Sequence, residues 1–116
     1  LTLTITAKQM VAPQQLTNAD AAYYTVPQNT TGVIKRATFT NTSAGAVTIT
    51  ANIVAAAGAS SAANRVIDPQ NTVLSAGQTY VAPELAGKTM PAGTMLRMLA
   101  SAGAAITVAV DGVEIV

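Results

Sequence analysis

The sequence contains no cysteine, no histidine and no tryptophan. Without cysteine there are no disulfide staples and no thiolate metal sites. Without histidine as well, imidazole-based nucleophilic triads and most transition-metal sites are excluded. Aromatic residues are also scarce, at 3 Tyr and 1 Phe, too few to line a sugar-binding cleft with ring platforms. Charge is equally sparse. Only 9% of residues are charged, against about 25% in an average soluble protein. The net charge is +1, and Lys35-Arg36 is the single adjacent basic pair, so the clustered cations of a nucleic-acid surface are missing. No run approaches the ~20 apolar residues of a membrane-spanning helix. Residues 1–6 lack the basic and apolar regions of a signal peptide.

What is present is apolar but uncharged. Half of the 116 residues are hydrophobic and the mean hydropathy is +0.40. The length is that of one domain, read here as residues 1–116. A free monomer keeps more surface charge than this to resist association. The composition therefore predicts a chain whose surface is covered by copies of itself or by a partner protein, as a homo-oligomer within an assembly. Neither nucleic acid nor membrane is expected as a partner.

The periodicity is that of β-strands. Leu1, Leu3 and Ile5 alternate with Thr2, Thr4 and Thr6, and β-branched Thr suits a half-exposed strand face. Residues 1–7 are read as a pairing strand or arm able to extend another sheet. Val47, Ile49, Ala51 and Ile53 alternate with polar residues, predicting one apolar and one polar face. Ile106, Val108 and Val110 do the same, but the pattern slips at Asp111-Gly112 and resumes with Val113 and Ile115. Asp-Gly suits a two-residue hairpin turn and equally a bulge, which would change the face by one residue and is the favoured reading. Weaker strands are expected over 21–26, 32–42, 64–67, 72–74, 79–82 and 94–100. Turns are expected at Pro27-Gln28-Asn29, Ser43-Ala44-Gly45, Asp68-Pro69, Ser75-Ala76-Gly77 and Pro91-Ala92-Gly93. Spacing near ten residues is the rhythm of a sandwich or barrel. The expected fold is a single all-β antiparallel sandwich or jelly roll with little helix. A single helical turn is allowed at 84–87 or 95–99, and residues 55–63 read as a small-residue loop.

Few residues invite a chemical reading. The carboxylates Asp20, Asp68, Glu84, Asp111 and Glu114 form no motif. Asp68 and Asp111 precede Pro and Gly and read as turn formers. Ser60 lacks the glycine pattern of a nucleophile elbow. No Gly-rich phosphate cradle and no cluster of calcium-ligating carboxylates appears. No catalytic residue, cofactor or metal site is therefore expected, and the chain is read as not an enzyme. Asn29-Thr30-Thr31 and Asn41-Thr42-Ser43 match a glycosylation acceptor pattern that recurs by chance in Thr-rich chains. The candidate interface residues are Leu1, Leu3 and Ile5, then Tyr23 and Tyr24, then Lys35 and Arg36, then Met95 and Met98. Neighbours on a strand face opposite ways. One of Tyr23 and Tyr24 is thus expected in the core and the other outside, where Tyr anchors interfaces. Lys35 and Arg36 are expected to split likewise, with a solvated edge charge as the simpler reading. Met90, Met95 and Met98 suit a core gap first and a repacking interface second.

The run Tyr23-Tyr24-Thr25-Val26-Pro27, followed by Val33-Ile34-Lys35-Arg36-Ala37-Thr38-Phe39-Thr40-Asn41-Thr42, resembles small virion proteins of tailed bacteriophages. So does Leu74-Ser75-Ala76-Gly77-Gln78-Thr79-Tyr80 with Pro83-Glu84-Leu85 and Ala92-Gly93-Thr94. The resemblance implies a β-sandwich that decorates the capsid as a cement protein and binds a major capsid protein. The alternative it implies is a ring at the neck, collar or tail. Either would place the chain in the virion, assembled in the bacterial cytoplasm. A carbohydrate-binding or adhesin module of a fibre is the competing class, and the shortage of aromatics weighs against it.

Overall fold

The computed structural model describes residues 3–116. The strands run in chain order as β1 Ile5–Gln15, β2 Ala21–Thr25, β3 Thr31–Asn41, β4 Val47–Val54, β5 Arg65–Ile67, β6 Val73–Leu74, β7 Thr79–Val81, β8 Thr89–Met90, β9 Met95–Ala100 and β10 Ile106–Ile115. They form two antiparallel sheets of five strands, and the all-β sandwich expected from the periodicity is the fold observed. One sheet has the order β1-β10-β3-β7, with β8 also on β3. The other has the order β2-β9-β4-β5, with β6 also on β4. Each sheet is thus built on three strands and completed at one edge by two short ones. Residues 16 and 17 carry the chain between sheets. The Leu16 N–H donates to the Ile106 carbonyl at 2.8 Å, and the Thr17 carbonyl accepts from the Ala100 N–H at 3.0 Å.

The core lies where the inward positions of the two sheets meet. Ile34, Ala37 and Phe39 of β3 and Ile106, Val108 and Val110 of β10 are buried on one side. Ile49 and Ala51 of β4 and Leu96, Met98 and Ala100 of β9 are buried on the other. β9 alternates without a break, so residues 95–99 are strand and not a helical turn. A fully buried side chain of this size contributes ~1.5–3 kcal/mol. Turns fall where Gly allows positive φ, at Gly77 (76°) and Gly93 (84°). Residues 84–87 belong to a turn without helix, and residues 62–64 make a single 3₁₀ turn inside the small-residue loop.

Several sequence expectations are corrected. The first strand does not end near residue 7 but runs to Gln15, through Pro13. It can do so because β1 is an edge strand, where a missing N–H costs no ladder bond, and because the register shifts between Val11 and Gln14. The polar face of β4 is largely covered, with Thr50 and Asn52 buried and Thr48 half-exposed. Asn52 is buried under the 55–64 loop and donates to the Ser61 carbonyl at 2.8 Å and to Asn64 Oδ1 at 2.7 Å. Asp111 is strand and not turn.

The slip at Asp111-Gly112 is not a bulge in β10. Opposite Asp111 and Gly112, β3 supplies Arg36 and then Ile34, leaving Lys35 as the extra residue. On the other side Gln9 and Val11 face Asp111 and Val110, leaving Met10 extra. The bulges lie in the two neighbours, and β10 passes straight between them. Val113 and Ile115 therefore stay out of phase with Val108 and Val110, and both are only half-buried.

Asn41 shows why one glycosylation match is structural. Its side chain is fully buried. It donates to the Gly45 carbonyl at 2.8 Å and the Leu74 carbonyl at 2.9 Å, and accepts from the Ser43 N–H at 2.9 Å. These bonds tie the β3–β4 turn to β6. Removing a buried partner strands the groups left behind at ~1–3 kcal/mol each. Asn41→Ala should therefore lower unfolding stability by about 2–4 kcal/mol in a denaturant titration; a loss under ~0.5 kcal/mol would show that these bonds do not hold the turn.

Candidate interaction surface

The bulges at Met10 and Lys35 decide which residues reach the outside of the first sheet. Ile34 is buried and faces inward, so its neighbour Val33 faces outward. Val33 pairs with Val113, which pairs with Ala7. One step on along the strands, Thr31 pairs with Ile115, which pairs with Ile5. Cross-strand partners share a face, so these form adjacent outward rows, and Leu3 continues the face beyond Ile5. Leu3 is 69% and Ile5 68% exposed. Val33, Val113 and Ile115 are half-buried and Ala7 is exposed. The result is an apolar patch at one end of the sheet, bordering the free edge of β1.

The charged border of this patch comes from the same bulge. Lys35 and Arg36 were expected on opposite faces. A bulge turns both residues to one side, and both are exposed, opposite Asp111. They stand within the sheet on the central β3, not at an edge. Gly112 makes the arrangement possible. A Cβ there would lie 2.2 Å from the Val33 carbonyl oxygen and 2.7 Å from Met10 Cε, closer than any side chain tolerates.

The tyrosine pair is also corrected by a bulge. Ala22 and Tyr24 face Arg97 and Leu96, leaving Tyr23 extra. Tyr24 is buried, and Tyr23 also packs against the core, its Oη accepting from the Thr17 N–H at 3.2 Å. Neither ring projects as an anchor. The Tyr24 hydroxyl donates to Glu114 Oε2 at 2.5 Å, linking β2 of one sheet to β10 of the other beneath the apolar patch. Met98 is buried in the core and Met95 half-buried on β9. Of the residues singled out from sequence, Leu3 and Ile5 share the patch and Lys35 and Arg36 flank it. Leu1 lies outside the described residues. Val33, Val113 and Ile115 were missed as surface residues because alternation alone reads them as core.

The described residues contain no cavity and no group of three or more acidic side chains placed to hold a metal ion. No helix among them is long and apolar enough to cross a membrane. Comparison with protein-family models, with curated proteins and with solved structures finds no match to this chain.

Two tyrosines carry displaced acidities. Burial, then the hydrogen bond to Glu114 and its charge, push the Tyr24 hydroxyl well above its ordinary 10.0. The same causes, with Glu84 accepting from Tyr80 at 2.5 Å, push Tyr80 up to about 12. An acid that holds its proton more tightly when folded stabilises the fold below its unfolded value. That contribution is lost as pH rises through the folded value. The unfolding midpoint should therefore hold steady to about pH 10 and fall between roughly pH 10 and 12. Tyr24→Phe combined with Tyr80→Phe should flatten that fall, and an unchanged alkaline profile would remove these hydroxyls as its cause.

Proposed function

We propose that the chain is a non-enzymatic structural module that docks into a larger assembly, and that the assembly is the virion of a tailed bacteriophage, with the chain as a capsid decoration protein. The observation that carries the docking reading is the apolar patch of Ile5, Ala7, Val33, Val113 and Ile115 beside the free edge of β1. The virion reading rests on the sequence resemblance over residues 23–42 and 74–94. The absence of histidine and cysteine supports a structural role over a catalytic one.

The size of the patch fits a repeated contact. The handful of side chains that form it is far fewer than the ~20–30 residues per side of a stable pairwise interface. A single contact of this kind is weak, but copies arrayed on a lattice combine many of them. Lys35 and Arg36 border the patch and favour an acidic rim on the partner surface. The apolar rows supply the driving force at ~25 cal/mol per Å² buried.

The test is particle association. A tagged chain produced during phage infection should sediment with capsid-sized particles, and electron microscopy should find it on the outer head surface with the patch facing the shell. Ile5→Lys with Val113→Lys should reduce its occupancy by about tenfold or more. A chain that stays with soluble protein, or that binds particles equally well with both lysines, removes this reading.

A further inference from the structure

The edge of β1 carries an inference about self-association. Thr4 and Val116 exchange both backbone hydrogen bonds at 2.9 Å. In an antiparallel pair such exchange alternates along the strand. The backbone groups of Thr4, Thr6 and Lys8 thus point to β10, and those of Leu3, Ile5, Ala7 and Gln9 point away from it. β1 is the terminal strand of its sheet, and among the described residues no hydrogen bond satisfies these outward groups. Edge strands are normally blunted by proline, bulges or charge. β1 has those devices in its later part, with the bulge at Met10 and the irregularity around Pro13. Residues 3–9 have neither, are exposed throughout, and hold Lys8 as their one charge.

We propose that residues 3–9 pair antiparallel with the same residues of a second copy across a two-fold axis at Thr6. This register matches every outward group before the bulge, with Ile5 opposite Ala7 and Leu3 opposite Gln9 of the mate. It sets Thr6 against Thr6, a favourable cross-strand pair. Lys8 falls opposite Thr4, which leaves the two Lys8 residues about 14 Å apart at ~3.4 Å per residue, beyond the ~10 Å screening length at 0.1 M salt. The apolar rows also join across the axis. Ile115 and Ile5 of one copy continue into Ala7 and Val113 of the other, and the reciprocal row does the same. The strand therefore meets no like charge in its own copy, and the two sheets merge into one continuous sheet with a doubled apolar stripe. A patch too small for a stable contact in one copy becomes a single larger surface in the pair.

This goes further than the docking reading and is tested without particles. Sedimentation from about 10 µM to about 1 mM should show a monomer–dimer equilibrium. Amide exchange should show Ile5, Ala7 and Gln9 gaining protection as concentration rises, while Thr6 and Lys8, bonded to β10, stay protected throughout. Ala7→Pro removes an outward N–H without touching the β10 ladder and should abolish the dimer. Val33→Lys, set back from the edge on the same face, should leave it. Should Ala7→Pro fail to fold, the exchange pattern of the natural chain decides alone. A strict monomer over the whole range overturns the pairing, as does a dimer in which the Ile5 and Ala7 amides stay unprotected. Either result leaves particle association to stand or fall by its own measurement.

Discussion

The space around Gly112 is the constraint on which this end of the molecule depends. Its position admits no Cβ, because the Val33 carbonyl and the Met10 thioether already occupy that volume. β10 is hydrogen-bonded on both sides, and both neighbours carry an extra residue at this level. The strand in the middle keeps its phase while those beside it lose theirs. From that follow the outward turn of Lys35 and Arg36, the inward placement of Met10 beside Val11, and the exposure of Val113 and Ile115. Bulges also strengthen local twist. Glu114 faces the other sheet beyond this point, where its carboxylate accepts from Tyr24.

Much of the architecture was legible in the sequence, because period-two alternation is written directly in side-chain type. The strands around Val47 and Ile106 and the turns at Ser75-Ala76-Gly77 and Pro91-Ala92-Gly93 follow from that pattern and from turn chemistry, whereas residues 95–99 admit a helical turn by sequence and are strand through their pairing with β2 and β4. What could not be read was phase. A slip of one residue looks the same in sequence whether the strand bulges or its neighbours do, and only the neighbours' registers distinguish the two. Tyr23-Tyr24 and Lys35-Arg36 were misassigned for that one reason, since each pair sits at a bulge in its own strand. Pro13 concealed the length of β1, because its tolerance depends on being at an edge, which is a property of the sheet. The buried polar side of β4 was hidden by a loop that composition marks as featureless.

The interaction surface was half visible. Leu3 and Ile5 stood out by alternation with Thr, and the structure sets them beside Val113 and Ile115 from the other end of the chain. No local signal could have made that association, because the pairing spans nearly the whole sequence. The sparse charge finds a physical counterpart in this placement. The chain exposes large apolar side chains on the outer face of its first sheet, where an isolated domain would carry lysines and glutamates. The tyrosines that seemed suited to an interface are spent on the interior, one buried and hydrogen-bonded between sheets and the other packed on the core.

The position of β10 between β1 and β3 also sets an order of events in folding. The first sheet places strands from the two ends of the described chain side by side, so β1 and β3 cannot be joined until β10 has been made. During synthesis at ~5–20 residues per second, β3 can recruit β7 and β8, and the second sheet can assemble β2, β4 and β9. The edge of β3 that awaits β10 stays open meanwhile, with its backbone N–H and C=O groups unpaired. Closing loops this long is slow compared with local pairing. Of the ten described strands, the last to emerge is thus the one that completes the core, and until it arrives the first sheet has an unfilled slot.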